Sequence, residues 1–290
     1  MTILIEKHKS LERGDTEPGL YIVATPIGNL GDITLRALQI LHKSDLVACE
    51  DTRVTRRLLS HYNIKVPTTS YNDHNAKKVI PRIIKLLQSG KIVALVSDAG
   101  TPLISDPGYR LVLAAISKNI PITAAPGPVA AVAALTIAGL PTDKFLFIGF
   151  LPTKKGAKKN YLKEIKNIQA TLVFYESSQR LIETLYDMTE YLGNRSAAVM
   201  REITKKFEET KRGSLKELAD QFSEEGAPRG EIVIIVSSLE PIKMSDQEID
   251  VLITKELVNN TLRDSVNIVA QSSGRARREV YKRALIISKK

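Results

Sequence analysis

Acidic and small polar residues follow several short apolar segments of this sequence, and their types suit binding or deprotonating a ligand. Glu50-Asp51-Thr52-Arg53 comes directly after the apolar residues 46–49. Two acids and a base at the end of an apolar strand are costly to bury unless they pair or face an opening. Two interpretations are open: an acid–arginine ion pair with Thr52 as a helix N-cap, or groups that face a cleft and act on a substrate.

The most informative segment is residues 97–108, SDAGTPLISDPG, which follow the apolar run 92–96. Connections between a strand and a helix usually have roughly two to six residues, so this loop is long for a plain connection. Its small and turn-forming residues expose backbone N–H and C=O groups and allow a ligand to approach the chain closely. The loop therefore predicts a binding site.

Other loops carry similar residue types. Residues 25–32, TPIGNLGD, form a tight turn but match neither a GxGxxG fingerprint nor a P-loop. Residues 125–128, APGP, open a helix of small residues whose first N–H groups can receive a carbonyl or carboxylate. Polar loops also occur in the second half of the chain, at residues 149–159, 175–180, 201–206 and 229–231.

The elements that position these loops alternate between strand and helix. In the first half we predict strands at residues 20–24, 46–49, 92–96 and 121–124. Helices are predicted between them at residues 33–42, with Asp32 as N-cap, and at 77–88, 109–118 and 129–138. Apolar strands separated by helices predict a parallel sheet covered on both faces, with ligands at the carboxyl ends of its strands.

After residue 140 the pattern changes. Strands are predicted at residues 145–150, 171–175, 197–200 and 232–236, and helices at 158–166, 179–191 and 215–221. Two short helices, 246–258 and 275–286, follow. We therefore expect an α/β protein with a flexible extension (1–17), an N-terminal α/β domain (18–140), a C-terminal α/β domain with a mixed sheet (141–240) and a small helical basic tail (241–290).

Composition excludes several classes of protein. One cysteine in 290 residues allows no internal disulfide, and the four histidines lack metal-binding spacing, so no metal is expected. No apolar run is long enough to cross a bilayer and no signal peptide is evident, which predicts a cytoplasmic protein without a membrane partner. The net charge of +10 favours polyanionic or anionic partners.

The motifs together resemble one family. TPIGNLGDIT, CEDTR, SDAGTPLISDPG, PGP, GLPTDKFLFIGFLP, ESSQR, REITKK and RGE occur in the order typical of the ribosomal RNA small subunit methyltransferase I family. This family belongs to the tetrapyrrole methylase superfamily of S-adenosylmethionine (SAM) methyltransferases. The resemblance covers residues 19–239. The usual Pro-His of the ESSQR segment is Ser178-Gln179 here, and Leu103 stands where glycine is common.

The resemblance implies two α/β domains, a parallel N-terminal sheet, a mixed C-terminal sheet, SAM in the cleft between them, and a homodimer. The implied reaction is transfer of a methyl group to the 2′-oxygen of a cytidine in the decoding region of 16S rRNA. Two alternatives stay open: a small-molecule tetrapyrrole or corrin methyltransferase, and an RNA-binding protein without catalysis. The first would not need a basic surface, and the second would not explain the loop 97–108.

Cofactor-binding residues follow from the resemblance and from the exposed backbone of the loops. We expect SAM to contact Asp98, Ala99, Gly100, Thr101, Ser105, Pro126, Gly127, Pro128, Phe150, Leu151, Met200, Gly230 and Ile232. Thr25 and Gly28 are expected to shape the substrate side. Removal of the hydroxyl proton needs a base or a strong acceptor, and the candidates are Glu50, Asp51 and Glu176, with Glu202 and Lys154 as further candidates.

The positive charge is concentrated in two segments. Residues 151–170 contain six lysines and one acid, and the tail 241–290 contains ten bases and six acids. We expect RNA to contact Arg53, Lys154, Lys155, Lys158, Lys159, Arg180, Lys205 and Lys206. The tail either contacts RNA or is a solvated surface near the dimer interface. The partner is 16S rRNA, either free or within the small ribosomal subunit.

Overall fold

The computed structural model describes residues 16–239 and 245–288. The chain forms two compact units that divide after Ser238. The first unit contains the strands β1 (Gly19–Val23), β2 (Leu46–Cys49), β3 (Thr68–Ser70), β4 (Ile92–Val96), β5 (Ile122–Ala125), β6 (Phe145–Phe150), β7 (Thr171–Ser177), β8 (Ser196–Arg201), β9 (Glu209–Ser214) and β10 (Glu231–Val236).

The helices of the first unit connect these strands. They are α1 (Leu35–Lys43), α2 (Thr52–His61), α3 (Ala76–Gln88), α4 (Tyr109–Ile116), α5 (Ala130–Ala138), α6 (Lys155–Ile165), α7 (Leu181–Leu192) and α8 (Leu215–Glu225). The second unit contains α9 (Asp246–Leu257), α10 (Leu262–Ser273) and α11 (Arg277–Ile287). No helix of the described residues is long and apolar enough to cross a membrane.

The first sheet is parallel and has the order β3-β2-β4-β1-β5. Buried side chains on one face pack against α1 and α2, and those on the other face pack against α3 and α4. Because all its strands run in the same direction, the loops after β1, β2, β4 and β5 leave the sheet at one edge. This arrangement confirms the predicted parallel sheet covered on both faces.

The second sheet is mixed, as expected, and has the order β6-β7-β10-β8-β9. Strands β6 and β7 are parallel, whereas β10 is antiparallel to both β7 and β8. One face packs against α6, α7 and α8. The other face packs against α5, whose small residues Ala131, Ala134 and Ala138 allow the helix to lie close to the sheet.

The structure corrects several details of the predicted elements. Strands β3 and β9 and helix α10 were not predicted, and α2 was suggested only by the interpretation of Thr52 as a helix N-cap. Strand β9 is the polar segment ETKRGS, and it is a strand because it pairs with β8 at the edge of the sheet. Thr34, not Asp32, caps α1 by accepting the Ala37 N–H, because Asp32 belongs to a 3-10 turn. Asp51, not Thr52, caps α2.

The predicted tail also differs. Three helices instead of two pack around Ile249, Ile253, Val266, Val269, Val280 and Ala284. Arg283 pairs with Asp246 and Asp250, so part of the basic charge of this unit is neutralised internally. The flexible extension predicted for residues 1–17 lies almost wholly outside the described residues, as do tail residues 241–244.

Candidate active site

Loops from the carboxyl edge of the first sheet are tied to each other by backbone hydrogen bonds. Thr25 and Gly100 exchange two bonds, with N···O distances of 2.8 and 3.1 Å. The Thr25 hydroxyl also donates to the carbonyl of Ser97, and the Thr101 hydroxyl donates to the carbonyl of Pro128 at 3.1 Å. The loops after β1, β4 and β5 therefore form one continuous wall made largely of main chain.

The second sheet contributes the facing wall. Strand β10 begins where β7 and β8 end, because Ile232 is in register with both Glu176 and Arg201. Phe150 ends β6 at the same edge, next to Tyr175, with ring centroids 5.7 Å apart. This edge collects an aromatic pair and the carboxylates of Glu176 and Glu231.

A cavity of about 210 Å³ lies between the two walls. Its lining combines apolar side chains with backbone and carboxylates: Ile27, Ala99, Gly100, Thr101, Ile104, Ser105, Asp106, Val129, Ala130, Phe150, Tyr175, Glu176, Ile203, Glu231, Ile232 and Val233. Apolar walls with a few placed polar groups are typical of small-molecule sites, and this position at the carboxyl edge of a parallel sheet is where such sites occur.

Two glycines allow the walls to approach each other. A Cβ atom on Gly28 would lie 2.4 Å from Cγ of Lys205, which belongs to the loop after β8. A Cβ atom on Gly149 would lie 3.0 Å from Oγ of Ser105, and Gly149 has a φ of +73°. A larger residue at either position would displace the facing side chain, so these glycines allow the two walls to approach closely.

Non-glycine residues with left-handed backbone occur in both walls. Leu103 and Ser105 have φ angles of 73° and 65° in the long loop. Glu202 and Thr204 have φ angles of 52° and 69° in the loop after β8. Such conformations cost roughly 1–3 kcal/mol each and are concentrated at functional sites in proteins. The strain at Leu103 agrees with the resemblance, in which glycine is common at that position.

Asp106 lines the cavity, and Glu50 and Asp98 lie near it in space; these three acids form the acidic rim. Burial raises the pKa of Glu50, and the nearby charges of Asp98 and Asp106 raise it further. Burial likewise raises the pKa of Asp106, with a smaller contribution from Asp98. Asp98 accepts the Asp51 N–H at 2.9 Å, which fixes the loops after β2 and β4 together. The rim therefore favours a cationic ligand or a bound proton.

The three predicted base candidates have different surroundings. Hydrogen bonds from the Arg53 side chain and backbone lower the pKa of Asp51 to about 2. Asp51 therefore forms the predicted acid–arginine ion pair and takes the capping position predicted for Thr52. Glu176 is 2 % exposed, and its oxygens accept from the Ser177 N–H and the Thr184 hydroxyl. No described residue donates a hydrogen bond to the Glu50 carboxylate, so Glu50 alone of the three has free acceptor oxygens.

Of the further candidates, Glu202 accepts from Lys205 Nζ at 2.9 Å and from the Glu231 N–H at 3.0 Å. The Lys205 hydrogen bond holds the pKa of Glu202 below its usual range. Lys154 is exposed at the N-cap of α6.

The predicted cofactor residues fall into two groups. Ala99, Gly100, Thr101, Ser105, Phe150 and Ile232 line the cavity. Asp98, Pro126, Gly127, Pro128 and Gly230 lie in the adjoining loops without lining it, while the side chains of Leu151 and Met200 are buried in the cores on either side of the second sheet. Gly127 packs against Ala24, since a Cβ there would lie 2.8 Å from the Ala24 Cβ.

The residues predicted to contact RNA differ in exposure and in ion pairing. Lys154, Lys155, Lys159 and Lys206 are exposed and form no ion pair with a described residue. Arg53 pairs with Asp51, Lys205 pairs with Glu202 and Glu231, and Arg180 pairs with Glu176 and donates to the carbonyls of Leu151 and Pro152. For Lys158 the expectation is wrong, because it is 2 % exposed and paired with Asp187.

Sequence analysis missed several residues that line the cavity. Asp106 lies in the loop that was singled out, and its acidity was a signal that was not used. Tyr175 lies within β7, two residues before its end, and its hydroxyl accepts the Ala131 N–H at 3.2 Å, which ties α5 to the second sheet. Ile27, Ile104 and Ile203 are apolar residues in loops that are otherwise largely polar, and the sequence does not show which wall they face.

These features define an α/β protein with a ligand cleft between a parallel and a mixed sheet. The family model Tetrapyrrole (Corrin/Porphyrin) Methylases matches residues 19–219, and the chain belongs to this family. Among solved structures the fold resembles diphthine synthase, with a TM-score of 0.60 at 15% identity over 75% of this chain and 89% of that chain. It also resembles uroporphyrin-III C-methyl transferase from Thermus thermophilus complexed with S-adenosyl homocysteine, with a TM-score of 0.52 at 18% identity over 75% of this chain and 96% of that one.

Within the family, the chain groups with proteins named Ribosomal RNA small subunit methyltransferase I. It is 49% identical to that of Mesorhizobium japonicum over 93% of this chain and 92% of the relative. It is 43% identical to that of Vibrio cholerae over 91% of this chain and 93% of the relative. The Thermotoga maritima protein is 47% identical over 76% of this chain and 99% of its own length.

Proposed function

We propose that the protein transfers a methyl group from SAM to the 2′-oxygen of a cytidine in the decoding region of 16S rRNA, in the cytoplasm. The observation that carries this proposal is the cavity between the two sheets, with its main-chain wall, apolar lining and acidic rim. The names of the relatives support ribosomal RNA as the substrate, and the motif resemblance supports the 2′-oxygen of cytidine.

The residues of the cavity fit SAM. Ile27, Val129 and Ile232 offer apolar contacts for a purine, and the exposed main chain of residues 99–101 offers N–H and C=O groups. The carboxylates of Asp106 and Glu231 suit a ligand with a positively charged sulfonium and ammonium. When bound, SAM supplies an electrophilic methyl group, so the protein has to orient the acceptor oxygen and remove its proton.

Glu50 is the residue that we assign to proton removal. Its carboxylate has free acceptor oxygens, and its raised pKa brings it closer to neutral pH than an ordinary glutamate. Asp51 is less suited because its pKa is low and both of its oxygens bind Arg53. Glu176 is less suited because its two oxygens already accept hydrogen bonds from the Ser177 N–H and the Thr184 hydroxyl.

The direct test is to map ribose methylation of small-subunit rRNA from a strain that lacks the gene. We expect one 2′-O-methyl group to be lost from a decoding-region cytidine and to be restored by the purified protein with SAM. A ribose methyl blocks alkaline cleavage at that nucleotide, so it is distinguished from a base methyl. If all rRNA methyl groups persist and a porphyrin or corrin accepts the methyl instead, the proposal is wrong.

Lys154, Lys155, Lys159 and Lys206 form the surface that we propose for phosphate contacts. Changing all four lysines to glutamine is expected to weaken binding of 16S rRNA and to flatten its salt dependence. Each lost contact lowers the slope of log K against log[salt] by about 0.7 to 0.9. Affinity measured over a range of KCl concentrations checks this. Lys77→Gln/Lys78→Gln, which changes exposed lysines of α3, is the control and is expected to leave the slope unchanged.

The C-terminal unit is a second proposed RNA contact. Arg277, Arg278 and Tyr281 are exposed together on α11 and line a groove. Cations beside an aromatic ring at the start of a helix suit a phosphate next to an unstacked base. Arg275 and Arg283 differ, because ion pairs with acids of the same unit engage them.

The resemblance also implies a homodimer, and we propose that α4 contributes to it. Tyr109, Leu113 and Ile116 lie one turn apart on this helix and are 68%, 46% and 57% exposed. The helix lies next to the edge strand β5, and exposed apolar stripes of this kind mark self-complementary interfaces.

Leu113→Glu/Ile116→Glu is expected to convert a dimer into a folded monomer. Light scattering after size-exclusion chromatography gives the mass, and an unchanged dimer mass would place the interface elsewhere.

A further inference from the structure

Phe207 is an aromatic residue held outside the core at the side of the cleft. It lies in the loop between β8 and β9 and is 63% exposed. The same loop contributes Ile203 to the lining of the cavity. An isolated exposed Phe normally needs no explanation, but the loop around this one is unusually constrained.

Several contacts fix the conformation of this loop. Glu202 binds Lys205 and the Glu231 N–H, and the Thr204 N–H donates to the Glu208 carboxylate. Arg201 donates to the Phe207 carbonyl at 3.2 Å. These contacts maintain the left-handed backbone of Glu202 and Thr204 and anchor the Phe207 main chain, while the ring stays outside the core. The loop is therefore held in a strained backbone conformation in which the Phe207 ring is exposed to water.

The surroundings of the ring suit a nucleotide. Lys206 Nζ lies 5.6 Å from the centroid of the Phe207 ring, and Lys206 is exposed. Proteins that bind single-stranded RNA combine such pairs, since the ring stacks on a base and the cation contacts a phosphate. Phe150 is also exposed, but it lines the cavity and contacts Tyr175, so it belongs to the wall proposed for SAM.

We propose that Phe207 is a substrate-binding residue on which an unstacked base of the RNA stacks, with Lys206 at the adjacent phosphate. This inference rests on the proposed function, because it assumes an RNA substrate. Stacking on a rigid loop would hold the target ribose at the mouth of the cleft, where its 2′-hydroxyl can enter. Phe207 itself takes no part in the transfer of the methyl group.

Steady-state methylation of small ribosomal subunits tests this role. Phe207→Ala is expected to raise KM for the subunit about 5- to 150-fold, the effect of losing one base–aromatic stack. The dissociation constant for SAM should stay within twofold. Phe207→Tyr should retain the wild-type KM because it keeps the ring, whereas Phe207→Leu, which keeps apolar bulk without the ring, should not.

Phe145 provides the matched control. It is a half-exposed Phe at the amino-terminal end of β6, at the opposite end of that strand from Phe150. Phe145→Ala is expected to leave KM unchanged. Because the chain contains no tryptophan, Phe207→Trp and Phe145→Trp each introduce a single fluorescent reporter. We expect 16S rRNA to quench the fluorescence of Trp at position 207 and not at position 145.

The outcomes separate the two proposals. If the wild-type protein transfers no methyl group to the subunit, the proposed function fails, and the stacking role fails with it. If the wild type is active and Phe207→Ala has the same KM, only the stacking role is wrong. An equal loss of SAM affinity in Phe207→Ala, or rescue by Phe207→Leu, would also overturn it, because either result indicates a packing role for the side chain.

Discussion

Replacing Glu50 with glutamine is expected to lower kcat for rRNA methylation about 10²- to 10⁴-fold, the range that general-base catalysis contributes. The change removes a proton acceptor and keeps the size and shape of the side chain. Glu50 does not line the cavity proposed for SAM, so the dissociation constant for SAM should change little. Single-turnover methylation of small subunits together with SAM titration separates the two quantities.

The pH dependence gives a second readout of the same substitution. A base acts when it is deprotonated, so the wild-type rate should fall as the pH is lowered through the raised pKa of Glu50. The acidic limb of the rate profile should therefore lie above the usual glutamate range. In Glu50→Gln the residual rate should lose this limb. A limb that persists unchanged would assign the ionisation to another group, such as Asp106.

Glu50→Gln should lower the methylation rate and yet raise the free energy of unfolding. The pKa of Glu50 is raised in the folded protein, so the folded state favours the protonated form. The corresponding stabilisation is complete below the unfolded pKa and is lost as the pH rises through the folded pKa. At neutral pH the ionised carboxylate therefore destabilises the fold, and Glu50→Gln should raise the free energy of unfolding.

Glu176→Gln is the matched control for this pair of effects. Both Glu176 oxygens accept hydrogen bonds in a buried site, and one of them also lies 3.6 Å from Nε of Arg180. Replacing one oxygen with an NH₂ group puts a donor where an acceptor is needed, so this variant should lose stability. A near-native rate in Glu50→Gln, or a loss of stability like that of Glu176→Gln, would contradict the role assigned to Glu50.

The sequence was sufficient to predict the parts of the fold that depend on local patterns. Apolar runs bounded by turn residues predicted the central strands of both sheets, because such strands are buried on both faces. It was insufficient for β9, whose polar residues form a strand only through pairing with β8. The same limit applies to Tyr175 and Ile203, whose place in the cavity depends on which wall faces them.

The lysines of residues 151–170 show most clearly what the sequence alone does not predict. The six lysines of residues 151–170 look equivalent in the sequence, yet they differ in the structure. Position 158 faces inward on α6, towards α7, where Asp187 and Glu183 receive the ammonium group. Helical periodicity alone does not identify this lysine, because the acids that pair with it lie on another helix. A prediction of RNA contacts from charge alone therefore includes Lys158, although this lysine forms a buried ion pair within the fold.

Lys158→Met is accordingly expected to destabilise the protein by about 3–5 kcal/mol, since removing one partner of a buried pair leaves an uncompensated charge. Nζ of Lys158 lies 2.5 Å from Oδ2 of Asp187, whose side chain is 12% exposed. Glu183, at 3.1 Å, is 60% exposed and contributes little, because solvent screens its charge. Chemical denaturation measures the loss of unfolding free energy.

The double variant Lys158→Met/Asp187→Leu tests the cause, because it removes both charges and should recover much of the lost stability. Lys159→Met is the neighbouring control. Lys159 is exposed, with Nζ 5.3 Å from the centroid of the Tyr191 ring, so its loss should cost no more than about 1 kcal/mol. Lys159→Met should flatten the salt dependence of RNA binding, whereas Lys158→Met should not. The opposite pattern would show that Lys158 reaches the RNA, as its charge alone suggests, and that the buried pair does not form in solution.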